Sequence, residues 1–344
     1  MKLVVNIRKK LRNFELATDF SAENEIFALL GASGCGKSMT LKCIAGIETP
    51  DSGFISLNDR ILFDSEKNIN LPPQKRKVGY LFQNYALFPN MTIWENIEFA
   101  ATGTKEEKRQ KTLENIRKFS LEGLENAYPN QLSGGQQQRV AFARILVADS
   151  EILLLDEPFS ALDDYLKWQL ELEFTEILKG YGGTAVLVSH DRGEVFRLAD
   201  RIGVMNQGHL ETVSGKHEVF ADPKTLASTL LTGCKNISKA HCIDEHTLFA
   251  EEWGVELKVQ KVPENLQYVA IRAHYFTESE TDGENVFNFE VAQVIEDTFS
   301  YLVMVRLVNS KGKLLRWELE KDKWHERMAV RLKLPAEKLI LLEK

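Results

Sequence analysis

The segment Gly31-Ala-Ser-Gly-Cys-Gly-Lys-Ser38 limits the possible folds more than any other stretch of the chain. It fits G-x-x-x-x-G-K-[ST], a pattern that needs a strand before it and a helix after it. Glu25-Ile-Phe-Ala-Leu-Leu30 is a short apolar run, the mark of a buried strand, and Lys37 to Ala45 reads as a helix with Gly46 as its C-cap. The glycines let successive backbone N–H groups curl around phosphate oxygens, with the positive end of the helix behind them. In such a loop Lys37 reaches the β- and γ-phosphates and the Ser38 hydroxyl ligates magnesium. Gly31, Ala32, Ser33, Gly34, Cys35, Gly36, Lys37, Ser38 and Met39 are therefore the candidate phosphate-binding residues.

Ile152-Leu-Leu-Leu-Asp156-Glu157 supplies a second part: four apolar residues make a buried strand, and two carboxylates emerge at its end, where ligands bind in open α/β sheets. Asp156 is placed to hold magnesium through its water shell, and Glu157 to orient or deprotonate an attacking water. Leu132, Ser133, Gly134, Gly135 and Gln136 form a third part. The two glycines, Gly134 and Gly135, stand ahead of a helix running to Leu146 and make another phosphate cradle, although the chain already has one. A nucleotide bound to a second subunit accounts for the surplus. Thr184-Ala-Val-Leu-Val-Ser189 is a further buried strand, and a helix from about Asp164 to Lys179 leads into it. Strand, helix and parallel strand in succession indicate an α/β core.

With Leu132 to Gln136 in place, the chain resembles the ABC ATPases, and the other motifs of that family follow in order. Gln83, in Tyr80-Leu-Phe-Gln83, matches the Q-loop glutamine that senses magnesium and the γ-phosphate. Ser160, Ala161, Leu162 and Asp163 match the D-loop, which runs between subunits. His190, 33 positions beyond Glu157, matches the switch histidine that contacts the γ-phosphate and steadies Glu157 and water. The resemblance implies ATP and Mg2+ as cofactors, with Ser38, Gln83 and Asp156 around the metal and Glu157, His190 and Lys37 as catalytic residues. It also implies an ATP-dependent dimer of two copies. Members of the family usually stack the adenine on an aromatic residue near the N-terminus. Phe14 is the candidate here, and a place in the core of the N-terminal β-subdomain is the other reading. The implied fold is α/β: a P-loop NTPase cassette with a RecA-like core, an antiparallel β-subdomain and a helical subdomain at about residues 84–148.

The 344 residues are enough for two domains. A net charge of -7 argues against a nucleic-acid partner, which usually meets a basic face. No apolar run approaches the roughly 20 residues that cross a bilayer, and Met1 to Phe14 breaks into charge before a signal-peptide core can form. These features suggest a cytoplasmic chain whose membrane role goes through a partner, and with the resemblance they imply a peripheral place on the cytoplasmic face of the membrane. The four cysteines match no metal motif and read as free thiols. Residues 83–99 combine the γ-phosphate sensor with apolar and aromatic side chains. By resemblance a membrane permease docks in this stretch, although Leu87, Phe88 and Trp94 also suit packing within the helical subdomain.

The cassette is expected over residues 1–214, a partly helical linker over 215–235, and a regulatory β-rich domain over 236–344. The short alternating segments of that last region suggest a small all-β barrel of the oligomer-binding type, as on TOBE/Mop-bearing importer ATPases. Non-transport ABC ATPases are the competing class. They carry either a long coiled coil between the two cradles or two cassettes, whereas here Ser38 and Ser133 are 95 positions apart and the cassette is single. Leu57 to Lys67, Leu71 to Gln83 and Leu315 to Trp324 resemble molybdate-importer ATPases, which implies molybdate, tungstate or sulfate as cargo, brought by an extracytoplasmic binding protein. Iron, polyamine or sugar import is the alternative. The segments corresponding to that family's oxyanion-holding residues, Gly283 to Val286 and Leu334 to Lys338, lack its arginine and align its lysine poorly. Oxyanion sensing by the tail is therefore expected to be lost or rebuilt.

Overall fold

The computed structural model describes residues 1–160 and 164–343. Ala161, Leu162 and Asp163 of the expected D-loop lie outside the described residues. The chain forms two compact units, Met1–His217 and Glu218–Lys344.

The first unit is built on an eleven-stranded sheet. Five strands make its parallel part, in the order Arg201–Asn206, Ile26–Leu30, Thr184–Ser189, Ile152–Asp156 and Val78–Leu81. Ile152–Asp156 and Thr184–Ser189 are buried along their whole length, as continuous apolar strands covered on both faces must be. Lys2–Lys10 and Glu15–Glu23 pair antiparallel and alternate instead, with Leu3, Val5, Ile7, Leu16 and Phe20 inward. With Ser52–Leu57, Arg60–Asp64 and Ile69–Asn70 they form the antiparallel wing of the same sheet. The helix Lys37–Ala45 ends at Gly46, which takes φ +79. The helix Gly134–Leu146 starts from Ser133, and Asp164–Tyr181 precedes the strand Thr184–Ser189. Phe142, Phe159 and Phe174, each nearly solvent-free, pack together where these helices meet.

One buried cation organises the region behind the phosphate loop. Arg76 is fully buried and donates to the carbonyls of Cys43 at 2.9 Å, Ile44 at 2.8 Å and Leu71 at 2.7 Å. Two of these are end carbonyls of the helix Lys37–Ala45, which have no partner within the helix. The side chain also fills the space beside Gly46, where a Cβ would come 2.5 Å from Nε.

The second unit contains two five-stranded sheets with antiparallel pairing throughout. One runs Val255–Lys258, Thr247–Ala250, Asn236–Asp244, Tyr268–Ile271, Ile340–Leu342. The other runs Thr277–Glu278, Ala329–Lys333, Val286–Glu296, Ser300–Leu307, Leu315–Glu320. Their inner faces share one core that includes Leu248, Leu257, Ile271, Phe289, Val303 and Trp317. The strands arrange as two five-stranded sheets over a common core. Asn236 joins the sheets: its side-chain amide donates to the Arg316 carbonyl at 2.8 Å and accepts from the Arg316 N–H at 2.7 Å. Arg272 donates to the Thr232 carbonyl at 2.9 Å, tying the sheet to the end of the helix Leu226–Leu231. The stretch expected as a linker is ordered as the helices Lys216–Ala221 and Leu226–Leu231. Cys35, Cys43, Cys234 and Cys242 are free thiols, and only Cys242 is exposed.

Replacing Arg76 by alanine takes its donors from three carbonyls in a buried place, although the Cys43 carbonyl keeps the Gly46 N–H at 3.2 Å. We expect a loss on the order of 3 kcal/mol in unfolding free energy, measured by urea denaturation. A loss within ~0.5 kcal/mol, the size of a surface substitution, would contradict this role.

Candidate nucleotide site

The phosphate loop follows the buried strand Ile26–Leu30 and leads directly into Lys37–Ala45. Gly36 takes φ +112, and a Cβ there would meet Leu16 Cδ1 at 2.8 Å, so the loop can close this tightly only with glycine. The Cys35 carbonyl accepts from the Gly208 N–H at 3.0 Å, which anchors the loop to the turn after Arg201–Asn206. Lys37, 4% exposed, donates from Nζ to the carbonyls of Gly31 at 2.7 Å and Ala32 at 3.0 Å, so its ammonium lies along the inside of the loop. The N–H groups of Lys37, Ser38 and Met39 open the helix and have no carbonyl a turn earlier to bond. The Met39 side chain packs against the core, leaving its backbone for a ligand.

Two strand ends complete the site. The Ser38 hydroxyl donates to Asp156 Oδ1 at 2.7 Å, and the Tyr80 hydroxyl donates to Asp156 Oδ2 at 2.9 Å. Burial, reinforced by the adjoining Asp156 charge, pushes the Tyr80 phenol well above its ordinary value, so it remains a donor. Glu157 sits at φ +47, an uncommon conformation for a non-glycine residue. Its N–H donates to the Val188 carbonyl at 3.0 Å, and its own carbonyl accepts from the Ser160 hydroxyl at 3.0 Å. These bonds turn its carboxylate out of the sheet to meet two expected partners. Gln83 Nε2 donates to Glu157 Oε2 at 3.3 Å, and His190 Nδ1 lies 3.3 Å from Oε1. His190 is about half exposed, whereas Glu157 is 15% exposed.

The structure therefore brings Lys37, Ser38, Gln83, Asp156, Glu157, Ser160 and His190 to one end of the parallel strands. Phe14 lies against the same loop, its ring 3.5 Å from where a Gly36 Cβ would stand. The segment Leu132 to Gln136 is held separately. Ser133 caps the helix Gly134–Leu146 in a reciprocal box: the Ser133 N–H donates to Gln136 Oε1 at 2.9 Å and the Gln136 N–H donates to Ser133 Oγ at 3.3 Å. Among the described residues no hydrogen bond joins this segment to the phosphate loop.

Within the second cradle Ser133 and Gly134 are exposed, while Gly135, in the first turn of the helix, is buried together with Leu132. Gln138, three positions after Gly135, is fully buried, and its amide donates to the Pro158 carbonyl at 2.9 Å. Tyr80, the second donor to Asp156, was absent from the candidates drawn from sequence. No sequence signal marks it, because it is the pairing of Val78–Leu81 with Ile152–Asp156 in the fold that sets Tyr80 opposite Leu154 and beside Asp156.

The donor set fits a triphosphate with Mg2+. It offers a glycine-shaped ring of N–H groups, a buried ammonium, a hydroxyl and carboxylate already 2.7 Å apart, and a second carboxylate free to face water. Fold and site together define a P-loop nucleoside triphosphatase. The ABC transporter family model matches residues 18–160. The Fe(3+) ions import ATP-binding protein FbpC of Haemophilus influenzae is 36% identical over 300 residues, covering 85% of this chain and 85% of that protein. The sulfate/thiosulfate import ATP-binding protein CysA of Mannheimia succiniciproducens is 38% identical over 261 residues, covering 73% and 71%. A dimeric post-hydrolysis structure of the ATP-binding cassette MJ0796 bound to ADP and Pi aligns with TM-score 0.53 and 29% identity, over 63% of this chain and 99% of that one. The chain belongs to the ABC transporter ATP-binding subunits of import type. It is an ATP hydrolase coupled to transport, and it uses ATP and Mg2+.

Tyr80→Phe removes one of the two donors that orient Asp156. We expect the Mg2+ concentration for half-maximal ATP hydrolysis to rise on the order of ten-fold, with little change in melting temperature. An unchanged Mg2+ requirement would show that Tyr80 does not tune the metal site.

Proposed function

We propose that two copies of this chain close on two ATP molecules and drive a membrane permease served by an extracytoplasmic substrate-binding protein. The observation that carries this reading is the separation of the two cradles. The phosphate loop faces Asp156, Glu157 and His190, whereas the exposed Ser133–Gly134 end of the second helix faces none of them. Each nucleotide then lies between the loop of one copy and the Leu132 to Gln136 segment of the other.

Lys37 and the loop N–H groups would hold the phosphates, Ser38, Asp156 and Gln83 would hold the metal, and Phe14 would stack on the adenine. Magnesium would supply charge neutralisation on the phosphate oxygens. Glu157 accepts a proton from, or orients, the attacking water. His190 and Gln83 fix its two oxygens from opposite sides. Closure assembles both sites, loss of the γ-phosphate removes what both copies grip, and the pair reopens.

A groove of about 410 Å³ beside the Gln83 loop suits the permease contact. Phe82, Ala86, Phe88, Phe99, Arg144 and Ile145 line it. Phe88 and Phe99 meet edge to face at 5.1 Å, and Phe99 is 65% exposed. Arg144 donates to the carbonyls of Tyr85 and Ala86 at 2.8 Å each, which ties the groove wall to the loop that follows Gln83. Leu87 and Trp94, named with Phe88 as candidates from the sequence, are half-buried.

We read the second unit as a TOBE/Mop-like regulatory domain and the cargo as an oxyanion: molybdate, tungstate or sulfate. The sulfate/thiosulfate relative supports this cargo, and the longer alignment with the iron-import relative favours Fe(3+) as the second reading. Loss of oxyanion sensing by the tail has structural support. Asn285, at φ +56, spends both side-chain polar atoms on the Lys258 backbone, at 2.7 and 2.8 Å. Lys338 Nζ lies over the Tyr275 ring, 5.0 Å from its centroid.

Glu157→Gln should abolish hydrolysis and trap an ATP-bound dimer detectable by light scattering; a variant that hydrolyses normally would contradict the site. Phe99→Asp should lower permease-stimulated hydrolysis about ten-fold or more, since a carboxylate would be buried unpaired on docking. Stimulation equal to wild type would place the permease elsewhere.

A further inference from the structure

The helix that begins at the second cradle is tied to the backbone just after Glu157. Gln138 lies in the second turn of Gly134–Leu146 and is fully buried. Its Nε2 donates at 2.9 Å to the carbonyl of Pro158, the residue that follows Glu157. Phe142, one turn further along the same face, has its ring 6.4 Å from that of Phe159. Near the far end of the helix, Arg144 donates to the carbonyls of Tyr85 and Ala86. One rigid element therefore starts at Ser133, holds the peptide after Glu157 at its middle, and holds the loop after Gln83 at its end.

On burial alone, an apolar side chain would suit the place of Gln138 better. A carbonyl only accepts, so the amide nitrogen must face Pro158. Gln138 Oε1 is then left buried without a hydrogen-bond partner among the described residues. An unsatisfied buried oxygen is costly, and a thioether or alkyl chain of the same reach would avoid that cost. What the amide adds is a donor to Pro158. Glu157 sits at φ +47, a conformation that its surroundings must hold. The Val188 carbonyl takes its N–H and the Ser160 hydroxyl takes its carbonyl. Gln138 takes the next carbonyl along, so the turn is held at three successive backbone groups.

We propose that Gln138 is a positioning residue for Glu157, fixing the peptide after this carboxylate to the helix whose first residues meet the nucleotide of the partner copy. The inference rests on the roles given to Glu157 and Ser133 above. Gln138 touches neither nucleotide nor water; it acts through Pro158. When a second copy engages Ser133, the helix bears on the turn that aims Glu157, so that activation of water follows closure.

Gln138→Met and Gln138→Glu test this in the full chain. Methionine keeps the reach and apolar bulk but has no donor, so kcat for ATP hydrolysis should fall by about ten-fold or more, with KM for ATP unchanged. Gln138→Glu can donate to Pro158 only while its carboxyl is protonated, and burial raises the pH at which that proton leaves. Its kcat, as a ratio to wild type at each pH, should recover by about five-fold or more as pH falls from about 9 to about 6. ATP bound per chain, titrated in the same samples, should stay at the wild-type level; a merely structural lesion would remove bound ATP and turnover together. A kcat for Gln138→Met within about two-fold of wild type would overturn the proposal. So would a loss of ATP binding, or a ratio for Gln138→Glu that is flat with pH. The pH comparison is internal to one variant, so it decides the question even where Gln138→Met fails to fold. Added to Glu157→Gln, Gln138→Met should still trap the ATP-bound dimer, because the Ser133 capping box is untouched. Failure of Glu157→Gln alone to trap a dimer would sink the two-copy reading instead.

Discussion

The hydrogen bond from Ser38 to Asp156 is the contact on which the rest of the site depends. It joins the first turn of the helix behind the phosphate loop to the end of a strand that is buried along its whole length. A fully buried strand cannot shift register without exposing its side chains, so Asp156 has a fixed position and Ser38 is fixed by it. Tyr80 takes the other oxygen from the neighbouring strand and completes the clamp. One residue further on, the backbone of Glu157 turns through a positive φ and sends the next carboxylate towards Gln83 and His190. The carboxylates proposed to hold the metal and to activate water thus come from consecutive residues, separated by a single backbone turn.

The fold was most readable where burial is continuous. The runs at Ile26–Leu30, Ile152–Asp156 and Thr184–Ser189 announced parallel strands because both faces of such strands are covered. The helix ends were readable from Gly46 and Ser133, whose side chains, or lack of them, suit a left-handed cap and a capping box. The second unit was harder. Several of its strands are short and alternate, such as Thr247–Ala250 and Ala329–Lys333, so their pattern is weak. Whether such strands close into one barrel or pair as two sheets is decided by long-range register, which leaves little trace in local pattern.

The site itself was readable as a roll of residues but not as a set of contacts. Motif spacing placed Lys37, Ser38, Asp156, Glu157, Gln83 and His190 at strand ends, and the coordinates bring them together. Tyr80 and Arg76 carry no motif. Each acts through a partner about 30 to 80 positions away, so only the tertiary structure reveals it. Arg272 and Asn236 make the same point in the second unit, where both work as structural ties.

The central claim is that one chain holds half of each of two nucleotide sites. It can be tested directly with one thiol placed on each cradle. In a Cys242→Ser background, which removes the one exposed native thiol, Ser33→Cys and Ser133→Cys put thiols at exposed positions of the phosphate loop and of the other cradle. Oxidation in the presence of ATP should then link position 33 of one copy to position 133 of another, giving a dimer that disappears on reduction or when Ser33 is left unchanged. A bond confined within one chain, or a dimer that forms equally without the Ser33→Cys change, would contradict the account.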